Sequence, residues 1–96
     1  MTNFYKTSRW KSKREKILKR DEYLCQECKR FGRSKGASTV HHINTMRNRP
    51  DLRLETWNLV SLCNKCHEQM HDRKTDELTD LGEHWRARAN RLRGER

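Results

Sequence analysis

The spacing of apolar residues near the amino terminus predicts an amphipathic helix from Ser8, its expected N-cap, to Leu24. Trp10, Ile17 and Leu18 fall on one helical face, at positions i, i+7 and i+8. Lysine and arginine side chains cover most of the remaining helix surface. The apolar stripe indicates that Trp10 packs in the core rather than offering an exposed stacking surface.

Two short runs rich in β-branched and apolar residues, at 38–43 and 57–62, each predict a strand. The segment between them, residues 44–55, contains Pro50 and has no periodic pattern, so an irregular connection is expected. Residues 29–36 are basic and contain two glycines, and they predict a loop before the first strand.

Two further helices are predicted in the second half of the chain. The first begins at Asn64, its expected N-cap, and runs through His71 toward Lys74. The second begins at Asp76 and has apolar residues near heptad spacing, although Gly82 weakens its pattern. Those apolar residues are Leu78, Leu81, Trp85, Ala89 and Leu92.

The composition limits the chain to one small domain with a lean core. Only 31% of its 96 residues are apolar, and a chain of this size often needs a metal ion or disulfides. Residues 1–13 lack the apolar run of a secretory signal, and no membrane span is expected anywhere. A cytoplasmic location is therefore expected, where thiols stay reduced and a metal site is favoured over disulfides.

The net charge of +10 is concentrated at the two ends of the chain. Residues 1–20 contain eight basic side chains against one acidic, and residues 84–96 contain five against one. A solubilising surface explains this asymmetry less well than a polyanionic partner, because clustered Lys and Arg bind phosphates by releasing counterions. Nucleic acid is the predicted partner, and its predicted phosphate contacts include Lys11, Lys13 and Arg14.

All four cysteines lie in two pairs of identical spacing, Cys25-x-x-Cys28 and Cys63-x-x-Cys66. Two intervening residues let both thiolates of a pair face one ion. Four thiolates can surround Zn²⁺ tetrahedrally at about 2.3 Å and exclude water. We therefore expect one closed, structural zinc site that ties together segments far apart in sequence.

Four of the five histidines accompany these pairs. His67 and His71 are spaced i, i+4, which would place both imidazoles on one helical face. His41 and His42 are neighbours on a predicted strand, so their side chains point to opposite faces of the sheet. One of the two can therefore bind a metal ion while the other remains a free base. The histidines predict a second metal site, for chemistry.

Together these residues resemble the HNH nucleases, whose fold is a two-stranded hairpin and a helix around one metal ion. The resemblance covers residues 10–71 and is closest to small phage and bacterial members with a four-cysteine zinc site. The matching motifs are Trp10, Arg20-Asp21, Cys25-Gln26-Glu27-Cys28, Val40-His41-His42-Ile43, Asn58-Leu59, Ser61-Leu62-Cys63, Cys66-His67 and His71.

The fold that the resemblance implies is a small α+β, ββα-metal (HNH) finger with flanking helices, stapled by the four-cysteine zinc site. A single nuclease domain, residues 1–96, is expected. Within it, residues 1–24 form a basic N-terminal helix and 25–74 the zinc knuckles and ββα-metal core. Residues 75–96 form a basic C-terminal helix.

The resemblance also implies roles for individual residues. His42 corresponds to the general base that deprotonates the attacking water, and Asn58 to the asparagine that ties the following loop and so orients His42. His41 and His67 correspond to ligands of the catalytic metal ion. His71 matches a third ligand position that only some members use.

The implied activity is hydrolysis of DNA phosphodiester bonds by a metal-dependent endonuclease, with nicking and double-strand cutting both open. A neutral imidazole can accept a proton near pH 7, and a divalent ion acts as Lewis acid. Imidazole ligands suit Mn²⁺ and Ni²⁺, so either is expected to activate as well as Mg²⁺ or better. Without a separate recognition domain, contacts fall mainly on phosphates and specificity is expected to be low.

Small relatives of this kind often accompany phage genome packaging, which implies a phage-encoded protein with terminase or other packaging proteins as partners. A monomer is expected. Two rival interpretations remain: a non-catalytic, zinc-stabilised nucleic-acid-binding module, and a zinc adaptor for a protein partner. The first explains the basic ends and the cysteines equally well, but it gives no role to the histidines. The second leaves the +10 charge without a function.

Overall fold

The structure is a computed structural model that describes residues 3–72, 74–75 and 77–93. A two-stranded antiparallel sheet in this part of the chain is surrounded by helices, which confirms the predicted small α+β architecture. Its elements, in chain order, are α1 (Ser8–Arg20), α2 (Gln26–Arg30), β1 (Thr39–His42), β2 (Leu59–Leu62), α3 (Asn64–Glu68) and α4 (Asp80–Arg93).

Helix α1 is capped by Thr7 and not by the predicted Ser8, which is its first helical residue. The Thr7 hydroxyl oxygen accepts a hydrogen bond from the Trp10 backbone N–H at 3.2 Å. Either hydroxyl has the chemistry of an N-cap. Trp10 itself is buried, as its position on the apolar stripe predicts.

Helix α1 ends at Arg20 and not at the predicted Leu24. The Asp21 side chain turns inward and accepts a hydrogen bond from the Ser61 backbone N–H of β2 at 3.0 Å. The next two residues have φ values of 58° and 59°, in the left-handed region that an α-helix does not contain. The prediction was wrong at this end because a contact with the sheet, rather than the apolar pattern, stops the helix.

The hairpin pairs β1 with β2 so that His41 lies opposite Val60 and His42 lies opposite Leu59. Both strands are shorter than predicted, and residues 56–58 form a 3-10 turn before β2. The connection between the strands is irregular apart from 3-10 turns, as expected. This connection begins directly after His42, and it therefore borders the site in which His42 lies.

Helix α3 is much shorter than predicted. It ends at Glu68, so the expected helix through His71 was wrong. Cys63 stands at its N-cap position, whereas Asn64 is its first residue. His71 instead forms an isolated β-bridge with Leu78.

Helix α4 begins at Asp80, and the predicted start at Asp76 lies outside the described residues. Gly82 lies in its first turn, where the helix approaches the preceding chain closely. A Cβ atom at this glycine would lie 2.5 Å from the Met70 carbonyl oxygen. The glycine that weakens the helical pattern therefore permits the packing of the helix.

Most of the buried apolar residues in the described part of the chain form two clusters. One contains the apolar face of α1 with residues of both strands, namely Trp10, Ile17, Leu18, Val40 and Leu59. The other surrounds the cysteines and includes Met70, Trp85 and Ala89. No helix in the described part of the chain is long and apolar enough to cross a membrane.

Candidate metal centres and active site

Strand β1 sends its two histidines to different environments. The His41 ring lies 5.3 Å from the His67 ring and 5.3 Å from the His71 ring, measured between centroids. The His42 ring lies instead against Trp10 of α1. The alternation expected of neighbouring strand residues is therefore present.

One ring nitrogen from each of His41, His67 and His71 lies within 4.8 Å of the others, a separation at which the three could hold one metal ion. His67 belongs to α3, whereas His71 lies beyond the end of that helix. The bridge to Leu78 holds the His71 backbone in place. The structure therefore gathers the predicted histidines, but through a β-bridge rather than one helical face.

The His41 imidazole is suited to metal binding rather than to carrying a proton. It is 1% exposed, and its Nε2 atom has no hydrogen-bond partner among the described residues. Burial, followed by repulsion from the neighbouring histidines His67, His71 and His42, lowers its pKa to about 3. An uncharged ring with an unpartnered, buried nitrogen lone pair matches the requirement of a divalent cation for imidazole ligands.

His42 is held from two directions. Its ring stacks on Trp10 with a centroid separation of 5.0 Å and an interplanar angle of 22°. Its Nε2 atom lies 3.0 Å from the backbone oxygen of Arg53, in the irregular connection. Burial lowers the pKa of His42, the hydrogen bond to Arg53 opposes this shift, and the nearby His67 adds to it.

Asn58 closes the connection that follows His42. Its buried side chain accepts hydrogen bonds from the Asn44 backbone N–H at 2.6 Å and the Asn44 side-chain amide at 2.9 Å. In return it donates to the carbonyl oxygens of Asn44 and Leu52, each at 3.1 Å. Asn58 thus ties both ends of the segment between Asn44 and Leu52, next to the backbone of Arg53.

The four cysteines form a second cluster, with their sulfur atoms all within 4.8 Å of one another. All four are buried free thiols, and the sulfurs of Cys28 and Cys66 are 3.8 Å apart. Burial raises the pKa of Cys28 and Cys66. Burial acts the same way on Cys63, but hydrogen bonds with Cys66, Cys25 and Cys28 outweigh it and lower its pKa to about 7. Four converging sulfur atoms could hold one metal ion.

The histidines line an open pocket of about 930 Å³. His41 and His42 both reach it, together with Trp10 and Arg14 of α1. The pocket therefore places the candidate metal-binding histidines and the stacked histidine at one surface that a substrate can approach.

The three predicted phosphate contacts of α1 lie at different places. Arg14 lines the histidine pocket and donates to the Ser38 carbonyl oxygen at 3.1 Å. Lys13 donates to the Thr56 hydroxyl at 3.2 Å, and Lys11 is exposed. Only Arg14 is beside the histidines.

Two features of the site were missed by reasoning from sequence. The stacking of Trp10 on His42 was not predicted, because an apolar helical stripe indicates burial and not a particular neighbour. The contact of His42 with the Arg53 carbonyl has no side-chain signal at all. Such contacts follow from the path of the irregular connection.

Comparison with known proteins agrees with this geometry. The sequence model of a family described as HNH endonuclease matches residues 25–73. The structure is also similar to a crystal structure of the HNH endonuclease of the deep-sea thermophilic bacteriophage GVE2 with a manganese ion. That similarity has a TM-score of 0.66 and 37% sequence identity, and it covers 68% of this chain and 71% of the phage protein. No curated protein matches the chain.

Proposed function

This chain belongs to the HNH endonuclease family and is a nuclease, and on that premise we propose that it hydrolyses DNA phosphodiester bonds with His42 as general base. A divalent cation held by His41, His67 and His71 completes the proposed centre. The observation that carries the proposal is the buried, unpartnered Nε2 atom of His41 within the histidine cluster. A buried histidine with only a structural role would be expected to have a hydrogen-bond partner at this nitrogen.

His42 is suited to accept a proton because the Arg53 carbonyl fixes its tautomer. A carbonyl oxygen only accepts hydrogen bonds, so the neutral ring donates its Nε2–H to Arg53. The remaining lone pair is on Nδ1, which takes a proton from water. The water oxygen then forms the new bond to phosphorus, the bond from phosphorus to the leaving oxygen breaks, and that oxygen departs as an alkoxide that takes a proton from solvent.

Different residues of the site orient His42 and would bind the metal ion. Stacking on Trp10 and the bond to Arg53 limit rotation of the His42 ring, while the Asn58 hydrogen bonds keep the adjoining segment closed. When bound, a divalent cation supplies Lewis-acid stabilisation of charge on the phosphate and the leaving oxygen. His41, His67 and His71 form a purely imidazole cluster, so Mn²⁺ or Ni²⁺ is expected to activate as well as Mg²⁺ or better. The manganese ion of the phage relative agrees with this preference.

The four cysteines are proposed to hold a structural zinc ion. Their burial and convergence fit a closed four-thiolate site, in which soft sulfur ligands select Zn²⁺. The site would join α2 to the start of α3 and so fix His67, the residue after Cys66, relative to β1. This zinc ion would therefore influence catalysis only by fixing the position of His67.

DNA binding is proposed to depend on the basic residues Lys11, Lys13 and Arg14 of α1, because Arg14 already lines the histidine pocket. Such phosphate contacts position a duplex without reading its sequence, so low specificity is expected. A phage-encoded nuclease that acts with packaging proteins, as the family resemblance implies, stays a prediction, and so does the expected monomer.

A plasmid-relaxation assay with Mg²⁺, Mn²⁺ and Ni²⁺ in turn tests the proposal, with His42→Ala as the matched variant. Loss of a general base typically lowers the rate about 10²- to 10⁴-fold. DNA affinity and metal content should change little, because the base acts only in the transition state. Cleavage by His42→Ala at the wild-type rate would show that His42 is not the base. An absence of cleavage with every metal would favour a binding module instead.

A further inference from the structure

The predicted basic loop, residues 29–36, begins in the last turn of α2 and lies outside the site described above. All eight of its residues are exposed, and none of them lines the histidine pocket. It contains four basic side chains, and no acidic residue occurs between Glu27 and Asp51. The loop thus forms a concentrated positive surface that the proposed catalytic mechanism does not use.

An aromatic ring stands at the centre of this charge. Phe31 is 61% exposed, the largest exposure among the exposed large apolar residues of the described chain. The guanidinium carbon of Arg30 lies 4.7 Å from the centre of its ring, and that of Arg33 lies at 5.9 Å. Exposing a ring of this size is unfavourable in water, and its position beside two cations favours a ligand that is both flat and anionic.

The loop is fixed to the cysteine knuckle by its backbone. The N–H groups of Phe31 and Arg33 both donate to the Cys28 carbonyl oxygen at 3.0 Å. At the other end of the loop, the Cys25 N–H donates to the Lys35 carbonyl oxygen at 2.7 Å. Gly32 takes a φ of 79°, which makes the sharp turn after Phe31 possible without strain.

The side chain of Arg30 is also held in place. It forms two hydrogen bonds with the Glu27 carboxylate, at 2.9 and 3.0 Å. The indole N–H of Trp85, on α4, donates to the same carboxylate at 3.0 Å. The cation above Phe31 is therefore anchored to the core, and little conformational entropy remains to be lost when a ligand binds.

We propose that Phe31, flanked by Arg30 and Arg33, is a second nucleic-acid contact that stacks on an unpaired or unstacked base of the bound DNA. This inference rests on the proposed action on DNA and adds a preference for locally unpaired substrate. Arg30 already forms an ion pair with Glu27, so phosphates pair with Lys29, Arg33 and Lys35, and a base face covers the ring, as at single-strand binding surfaces. The Asp and Glu side chains of an acidic peptide would pair with the cations but offer no aromatic face to the ring.

The test compares two DNA molecules of equal length and equal phosphate number, a perfect duplex and one with a central run of mismatched bases. Both are bound to full-length, metal-loaded protein carrying His42→Ala, so that neither is cleaved. Phe31→Leu in this background removes the aromatic face while keeping an apolar side chain. Phe31→Trp keeps the aromatic face.

The parent protein should bind the mismatched DNA more tightly than the duplex. Phe31→Leu should lose about 5- to 100-fold in affinity for the mismatched DNA and little for the duplex, whereas Phe31→Trp should retain the preference. A 2-aminopurine placed among the mismatched bases should be quenched by the parent and by Phe31→Trp but not by Phe31→Leu. Because Phe31 is exposed, metal content and the unfolding midpoint should be the same in all three proteins.

The base-stacking proposal would be overturned if the parent protein and Phe31→Leu each bound the mismatched DNA and the duplex with equal affinity. That result would leave the proposed nuclease function intact. A parent that binds neither DNA would instead contradict the proposed function itself. If polyglutamate competed with DNA at equal charge and lost affinity on Phe31→Leu, the surface would belong to an acidic protein partner. That outcome would also overturn the proposal.

Discussion

At the scale of single residues, two neighbouring histidines differ in their chemistry because their surroundings differ. His41 is enclosed among two other imidazoles, and its pKa falls to about 3. His42 packs against an indole ring and keeps one hydrogen bond to a backbone carbonyl. Both rings are therefore neutral at physiological pH, one as a proposed ligand and the other as a proposed base.

The lowered pKa of His42 predicts the acid side of the pH–rate profile. Only the neutral ring can accept a proton, so activity should disappear as the pH falls through the pKa of His42. Because burial lowers that pKa below its usual value of about 6.5, the fall should be centred below pH 6.5. Full activity should then extend to mildly acidic conditions.

This profile is measured as the initial rate of plasmid nicking against pH. At each pH the divalent ion is raised until the rate no longer depends on its concentration, so that protonation of the metal-binding histidines does not limit the reaction. A midpoint above 6.5 would contradict the assignment of His42, in its buried environment, as the base.

At the scale of elements, α1 serves two purposes on its different faces. Its apolar face places Trp10 against His42, while Arg14 reaches the same pocket from the basic side. The Arg20–Asp21 pair at its end fastens the helix to β2, since Arg20 donates to the Leu59 carbonyl oxygen at 2.7 Å. The helix therefore helps to build the proposed active site, and its position there depends on its apolar side.

Replacing Lys11, Lys13 and Arg14 together with alanine should weaken DNA binding and reduce its dependence on salt. Removing the cation that binds one phosphate makes the slope of log affinity against log salt shallower by about 0.9 for duplex DNA. Binding is measured at several salt concentrations in the His42→Ala background. Metal content should not change, because no proposed ligand lies on α1. An unchanged slope would remove this helix from the DNA interface.

At the scale of the whole molecule, the cysteine cluster joins segments that the hairpin alone would leave apart. Cys25 and Cys28 precede β1, whereas Cys63 and Cys66 follow β2. All four belong to the larger of the two buried clusters, with Met70 and Trp85 around them. In a chain with so few apolar residues, a metal ion at this point would substitute for missing core.

Elemental analysis of the purified protein should find one tightly held zinc ion per chain, and a Cys→Ser change at any of the four positions should destabilise the fold severely. The binding free energy of a structural zinc ion is folding free energy, about 10–16 kcal/mol in small zinc peptides. Thermal unfolding with and without a strong chelator measures the effect. Lys65→Ala, an exposed change between Cys63 and Cys66, is the matched control. Folded, reduced protein without zinc would refute this prediction.

The sequence predicted the cysteine cluster because its ligand type and spacing are local, whereas the family resemblance assigned His41, His67 and, in some members, His71 to the histidine cluster. A C-x-x-C pair brings two thiols together wherever it occurs, and alternation along a strand separates His41 from His42 in any sheet. The apolar stripe of α1 likewise fixed which residues are buried. The fold class and the nuclease family were implied by the family resemblance that these motifs carry, and the structure and the comparisons confirmed both.

The remaining features depend on contacts between distant parts of the chain. Helix α1 ends where the Ser61 backbone N–H donates a hydrogen bond to the Asp21 carboxylate. His71 lies near the other two histidines because of its β-bridge to Leu78 and not because of a helix. The carbonyl that holds His42 belongs to a connection with no periodic pattern. Spacing along a chain specifies which side chains share a face. Only packing decides which backbone atoms and rings meet them, because those contacts depend on the path of the whole chain.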